Sequence, residues 1–226
     1  MMKNIAISWS GGKDGCMALH RLIEQGNSVK CLFTTLPEDI DGRTFGHGEK
    51  AESINLQGEA LGIPVEFIHC SFKTYTEDVK NALIHLRNKY GLDAVAFGDL
   101  YLQEHRDWGE KVCEQIGLDA VYPLWMLEDE VLPALKMFVE SGYKATVIRI
   151  RDDKLPVSWL GRELDGSFFA DIQKEDVCPM GEAGEYHTYV YDGPLFQRKI
   201  EFSYGEILQL ETTKRMEIDD LKLVMK

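Results

Sequence analysis

No C-x-x-C pair occurs in this chain, and its five cysteines, Cys16, Cys31, Cys70, Cys113 and Cys178, are odd in number and widely spaced. That argues against a disulfide framework and against a structural zinc site, and makes reduced, cytoplasmic thiols the expectation. Long apolar runs are missing too: none approaches the ~20 residues a membrane helix needs. Met1 to Asn4 lead into an apolar stretch too short for a signal-peptide core, so a soluble cytoplasmic protein with no membrane partner is expected. Positive charge is scarce, with 25 Lys and Arg against 38 Asp and Glu and a formal net charge of −13. Such a field repels a polyphosphate backbone, which disfavours extended nucleic acid as a partner but leaves room for a local pocket holding one nucleotide. There is no low-complexity linker, no internal repeat and no Walker spacing G-x-x-x-x-G-K-[ST]. The run Gly46-His47-Gly48-Glu49-Lys50-Ala51 loosely matches a dinucleotide fingerprint. It follows a polar loop rather than a strand, so it lacks the context that fingerprint requires.

What is present is concentrated near the start. The apolar run Ile5 to Trp9 is followed by Ser10-Gly11-Gly12-Lys13-Asp14 and then by an amphipathic run from Gly15 to Gln25. Strand, Gly-rich turn and helix in that order build a phosphate cradle, because glycines let backbone N–H groups approach an anion and the helix N-terminus adds positive potential. Lys13 adds a full charge. An ordinary capped strand-to-helix turn would need only the Ser or the Asp.

The first half of the chain alternates short apolar runs with amphipathic ones, the rhythm of an α/β protein with a parallel sheet. Strands are expected at Ile5 to Trp9, Val29 to Thr34, Val65 to His69, Ala94 to Phe97 and Ala120 to Tyr122. Helical faces run through Ala51, Ile54, Gly58 and Leu61, through Val79, Leu83, Leu86 and Tyr90, and through Trp108, Val112 and Ile116. In open sheets of this kind ligands bind beyond the carboxyl ends of the strands near a topological switch point. Ser10 to Asp14 and Gly98-Asp99 both follow strand ends, so they are expected to converge on one site. Asp99 suits a metal or a ribose there, and equally a helix cap or turn. Near Trp125 the rhythm changes: Val131, Leu132, Leu135, Phe138 and Val139 mark a helix closed by Gly142, Ala145 to Ile150 a strand, and glycine-punctuated short strands follow, among them Tyr186 to Tyr191 and Lys199 to Tyr204. The division expected is a nucleotide-binding domain over residues 1–125, which the resemblance described below makes an ATP-binding one, and a smaller α+β substrate-binding domain over 126–226.

A second polar cluster, Gly181-Glu182-Ala183-Gly184-Glu185-Tyr186-His187-Thr188, sets two carboxylates three residues apart on a Gly-rich loop. Such a pair can hold a cation, recognise an ammonium or amine, or remove a proton; it can also be a solvated acidic turn before a surface strand. His187 is as well suited to strand packing as to catalysis. Arg106 and Arg162 could meet phosphate or carboxylate, or simply pair with surface acids. Glu38, Asp39 and Asp41 read as a solvated acidic connection.

The Ser10-Gly11-Gly12-Lys13-Asp14 turn resembles the signature of the PP-loop ATP pyrophosphatases. The likeness continues through Gly98-Asp99, Glu104-His105-Arg106, Val112-Cys113-Glu114, Ile116-Gly117-Leu118 and Pro123-Leu124-Trp125. Gly181 to Thr188, with Asp192-Gly193-Pro194-Leu195-Phe196, is similar to the C-terminal signature of the diphthine–ammonia ligase family. The resemblance spans nearly the whole chain and implies a Rossmann-like (HUP) sheet domain followed by a smaller α+β domain. It implies an AMP-forming carbon–nitrogen ligase that uses ATP and Mg2+, with free ammonium as nitrogen source since no glutaminase segment is visible, and with diphthine on elongation factor 2 as acceptor. It also implies site roles: Ser10, Gly11, Gly12, Lys13, Asp14, Gly98 and Asp99 around ATP, Asp14 and Asp99 at the metal, Lys13, Glu182 and Glu185 in catalysis, and Arg106, Gly184, His187 and Thr188 at the acceptor. Oligomeric state stays open, a homo-oligomer included. Two departures stand out. Gly15 occupies a position where the superfamily often has Ser, and Cys178-Pro179-Met180-Gly181-Glu182 carries a Pro-Met insertion where the family commonly reads Cys-Gly-Glu. Alternatives left open are a different small-molecule or nucleobase acceptor and a nucleotide-binding sensor without turnover.

Overall fold

The computed structural model describes residues 2–40 and 42–226, so Asp41 of the expected acidic connection lies outside the described residues. The chain separates into two compact units, one of residues 1–10 and 14–125, the other of residues 11–13 and 126–226.

The first unit is a five-stranded parallel sheet built from β1 (Asn4–Ser8), β2 (Ser28–Pro37), β3 (Val65–Cys70), β4 (Ala94–Ala96) and β5 (Asp119–Val121) in the order β3-β2-β1-β4-β5. The helices that return the chain are α1 (Lys13–Glu24), α2 (Ala51–Leu61), α3 (Tyr75–Tyr90) and α4 (Gln103–Ile116). Each expected strand is present within a few residues, and β2 runs three residues past the expected end at Thr34. The central strands are buried on both sides and read as continuous apolar runs for that reason. Val79, Leu83 and Leu86 of α3 and Val112, Cys113 and Ile116 of α4 pack with Ala6, Cys31, Phe33 and Val95 of the sheet. These are the faces that the helical spacing marks, and α3 stops at Gly91, whose φ of 60° turns its N–H back to the Arg87 carbonyl. Strand order reverses between β1 and β4, which makes the carboxyl ends of these two strands the switch point.

The second unit is a four-stranded antiparallel sheet, order β7-β6-β9-β8, of β6 (Lys144–Arg151), β7 (Tyr186–Asp192), β8 (Arg198–Gln209) and β9 (Thr213–Met225), with α5 (Val131–Glu140) and α6 (Gly166–Ile172). Two elements exceed the sequence expectation. The strand expected at Lys199 to Tyr204 is half of a twelve-residue strand, and β9, with thirteen residues, has no counterpart in the expected set. Charged residues interrupt β9 at Lys214, Arg215, Glu217, Asp219, Asp220 and Lys222, which hides its period, and register breaks between Glu201 and Ser203 and between Tyr204 and Ile207 shift the alternation within the hairpin. The sheet also curls: rings of β7 and β8, which lie at opposite edges, meet at 5.3 Å between Tyr191 and Phe202.

Cys16, Cys31, Cys70 and Cys113 are buried as free thiols and Cys178 is half-buried. Burial, the largest cause, pushes the Cys31 and Cys113 thiols up to about 12, so they stay neutral and serve as small apolar side chains. Among the described residues no helix is long and apolar enough to cross a membrane.

Candidate active site

Ser10 to Asp14 leave the end of β1 and start α1 at Lys13, with Gly11 in the left-handed region at φ 82°. Gly11, Gly12 and Lys13 are buried, and Ser10 and Asp14 are half-buried. Gly98 follows β4 and meets the same turn: a Cβ there would lie 3.3 Å from the carbonyl carbon of Asp14, tighter than most side-chain contacts, so glycine eases this approach. The two segments that the strand-end argument singles out therefore touch at the switch point. Gly15, in the place of a common serine, lies beneath the Trp9 indole, and a Cβ there would sit 3.4 Å from the ring. The ring is held by a 2.9 Å hydrogen bond from Trp9 Nε1 to Gln57 Oε1. The side of Gly15 on which a side chain would start therefore faces a buried aromatic ring at van der Waals distance.

Beside the turn, still within the first unit, is a pocket of about 270 Å3 at the carboxyl ends of β1, β2 and β4. Its polar lining includes Ser10, Thr34, Thr35, Asp99 and His105, and its walls are aromatic, among them Trp9, Phe45, Tyr75 and Trp108. Tyr75 lies 5.4 Å from Phe45 and 6.0 Å from Trp108, ring centre to ring centre, so the wall is a continuous aromatic row. An apolar wall with a few polar groups at one end is the usual make-up of a small-molecule site. Nothing in the sequence marks Phe45, Tyr75, Thr34 or Thr35 as site residues, and helical spacing marks Trp108 only as part of a core face. The available signal was the extension of β2: residues just past a strand end in this fold line its ligand crevice.

Asp99 Oδ1 lies 2.9 Å from His105 Nδ1 and accepts from it when that ring nitrogen carries the proton. Arg106 faces elsewhere, with its Nε on Glu110 Oε1 at 2.7 Å and its guanidinium 4.7 Å from the Trp125 ring centre. Arg162 is similarly engaged, by Asp171 at 2.8 Å and by the Trp159 ring at 4.4 Å. Among the described residues no group of three or more His, Cys, Asp or Glu is arranged to hold a metal by itself. Magnesium does not require one, since one or two carboxylates with water and substrate phosphates suffice. Asp14 and Asp99, on two segments in contact, fit that donor set.

The second unit holds the rest of the turn. Lys13 N–H donates to Thr188 Oγ1 at 3.0 Å, and Val190 N–H donates to the Gly11 carbonyl at 3.0 Å. The Lys13 ammonium lies 5.0 Å from the centre of the Tyr186 ring. Thr188, expected at the acceptor, therefore caps one of the first N–H groups of α1. Upstream, Gly181 (φ 66°) and Gly184 (φ 79°) form a tight turn closed by a 3.0 Å bond from Gly184 N–H to the Gly181 carbonyl. A Cβ on Gly181 would stand 2.8 Å from the Tyr186 ring. Glu185 is not on a solvated turn: it is 5% exposed, its Oε1 accepts from Cys178 N–H at 3.0 Å, and its Oε2 is buried without a hydrogen-bond partner. Glu182 and His187 are half-buried, the latter opposite Arg149 in the β6–β7 register. The Pro-Met insertion is built in, with Met180 fully buried and Tyr186 Oη donating to the Pro179 carbonyl at 2.7 Å.

A parallel sheet of order 3-2-1-4-5, an SGGKD turn on its central strand and an aromatic-walled pocket at the switch point define a PP-loop protein of the ATP pyrophosphatase kind. Within that class, residues 2–120 match the diphthamide synthase N-terminal domain and residues 130–224 match the diphthamide synthase C-terminal domain, and the chain belongs to the diphthamide synthase family. Relatives named diphthine–ammonia ligase include one from Schizosaccharomyces pombe, 30% identical over 88% of this chain and 36% of its own length. Those from Danio rerio and Rattus norvegicus are 28% and 29% identical over 84% and 89% of this chain, and 83% and 84% of their own lengths. The chain thus spans about a third of the S. pombe relative and most of the vertebrate ones.

Proposed function

We propose that this chain is an ATP-dependent, AMP-forming ligase that converts a carboxylate to its amide with ammonia, and that diphthine on elongation factor 2 is the acceptor. The observation that carries the reading is the meeting of the SGGKD turn with Gly98 beside the aromatic pocket, in a family whose relatives are named for this reaction. The pocket has the apolar walls and polar end suited to an adenosine, and Ser10 belongs to both pocket and turn. Its phosphates would then lie over the turn, where the start of α1 and Lys13 favour negative charge.

In the chemistry proposed, an acceptor carboxylate oxygen bonds to the α-phosphorus, the bond to the β-phosphate bridging oxygen breaks, and pyrophosphate leaves. Ammonium gives up a proton, the resulting ammonia adds to the acyl carbon, a second proton leaves the nitrogen, and the acyl carbon–oxygen bond breaks to release AMP. The Lys13 ammonium and the positive N-terminal end of α1 meet charge that develops on the leaving phosphates. Magnesium, when bound by Asp14 and Asp99, would neutralise phosphate charge. Glu182, Glu185, Gly184, His187 and Thr188 form the acceptor end in this reading, with the Glu pair set to recognise ammonium or take its proton, and Arg106 pairs with acceptor charge after releasing Glu110. The protein works in the cytoplasm.

Chromatography of a mixture of enzyme, ATP, magnesium, ammonium and diphthine-bearing elongation factor 2 tests this. AMP and pyrophosphate in step with amide are expected. ADP and orthophosphate as primary products would overturn the chemistry, and AMP formation that ignores the elongation factor but answers to another carboxylate would overturn the acceptor.

A further inference from the structure

The segment that leads into β7 is closed on itself, and it fixes one ring. Gly181 N–H donates to the Cys178 carbonyl at 2.8 Å, while Glu185 Oε1 takes the Cys178 N–H at 3.0 Å, so the loop is tied at both ends. Tyr186 Oη donates to the Pro179 carbonyl at 2.7 Å. The Gly181 turn lies directly against the Tyr186 ring, and Phe168 of α6 meets that ring with centres 5.4 Å apart at an interplanar angle of 66°. Held by its hydroxyl, by a backbone turn and by a second ring, Tyr186 is 1% exposed and has no room to rotate.

The Lys13 ammonium lies over this ring, 5.0 Å from its centre, and Lys13 is 2% exposed. Tyr186 and Thr188, two positions apart on β7, share a face of the strand. Thr188 takes the Lys13 N–H and Tyr186 meets the Lys13 ammonium, so one strand face sets both ends of this residue. An ammonium removed from water stays charged only where attraction replaces its hydration, and the negative face of an aromatic ring supplies such attraction. A lysine side chain also gives up much rotamer freedom when it docks on an anion. One already held over a fixed ring has given it up beforehand.

We propose that Tyr186 is a positioning residue for Lys13: its π face fixes the ammonium where it serves the phosphates of ATP, and the closed loop of residues 178–185 holds that face in place. The proposal rests on the reading of Lys13 as a phosphate contact.

Calorimetric titration of the full chain with magnesium and the α,β-methylene analogue of ATP, without acceptor or ammonium, tests it in a cycle of Tyr186→Leu and Lys13→Met. Each single variant should weaken the analogue by roughly tenfold, and the double variant should bind within about twofold of Lys13→Met alone, because the ring acts only through the cation. Tyr186→Phe keeps the π face and should restore most of the affinity. Phenylalanines carrying one, two and three ring fluorines at position 186 keep the shape and drain the face of negative charge, so affinity should fall stepwise with Lys13 present and stay flat in Lys13→Met. This series decides the matter should Tyr186→Leu fail to fold, which circular dichroism reports. Additive losses in the folded cycle, or a flat fluorine series with Lys13 present, overturn the proposal and leave Lys13 as a phosphate contact. Undiminished affinity in Lys13→Met overturns the phosphate reading itself, and the proposal with it.

Discussion

Lys13 and Glu185 show how differently a charged residue reads in sequence and in the fold. Lys13 sits at the end of a Gly-rich turn, the position on which its proposed role as a phosphate contact rests, and in the structure it is buried with its ammonium 5.0 Å from the Tyr186 ring centre. Lys13→Ala should weaken ATP by roughly tenfold or more, the scale of a lost hydrogen bond to a charged group, and calorimetry that returns wild-type affinity would rule the contact out. In sequence Glu185 reads as one half of an acidic pair on a Gly-rich loop, or as part of a solvated acidic turn. In the structure it is buried and one of its oxygens anchors the Cys178 N–H. Glu185→Gln keeps that acceptor, so it should lower amide formation while the melting temperature moves little. Glu185→Ala removes it and should cost about 1–3 kcal/mol in chemical unfolding, because a buried N–H loses its partner. A large melting-temperature loss in the Gln variant with normal turnover would make the residue structural only.

At the scale of elements, helices and parallel strands were legible because each buries one stripe or one run, and the spacing of apolar residues records it. The short helix α6 was not, since its seven residues Gly166 to Ile172 span barely two turns. Its start is set instead by Asp165, whose Oδ1 accepts from the N–H groups of Ser167 and Phe168, both at 2.9 Å. The bond from the Phe168 N–H, with those from Ser167, holds this carboxyl below its ordinary value. A carboxyl depressed by folding contributes stability that is fully present above its unfolded pKa and is lost as pH falls through the folded one. Asp165→Ala should therefore cost about 1 kcal/mol near neutral pH, and the gap to wild type should close in acid, below the ordinary carboxylate range. Urea unfolding at several pH values checks this; a gap that persists in strong acid would mean that the cap is not electrostatic. The β8–β9 hairpin escaped for the opposite reason, since register breaks and exposed charges blur a period that backbone pairing nonetheless maintains.

Across the whole molecule, the most consequential contact joins residues 175 apart in sequence, the Lys13 N–H and the Thr188 hydroxyl. With the Val190 bond to Gly11 it holds residues 11–13 against β7 within the second unit. Thr188→Val preserves shape and deletes the acceptor, so it should weaken ATP binding as well as stability, although residue 188 belongs to the segment expected at the acceptor. Unchanged ATP affinity in a folded Thr188→Val protein would show that the turn holds its shape unaided.

The sequence by itself determined the α/β rhythm, the Gly-rich turn of Ser10 to Asp14, the place of Gly98 just past a strand end and the absence of a C-x-x-C pair, because these are written in local spacing and in residue types with few conformational alternatives. Only the tertiary structure decided which aromatic rings wall the pocket, that Glu185 is buried, that Thr188 serves the turn, and that β7 and β8 curl toward each other. Those features depend on strand order, register and curl, which bring together side chains whose own neighbours in sequence carry no trace of the meeting.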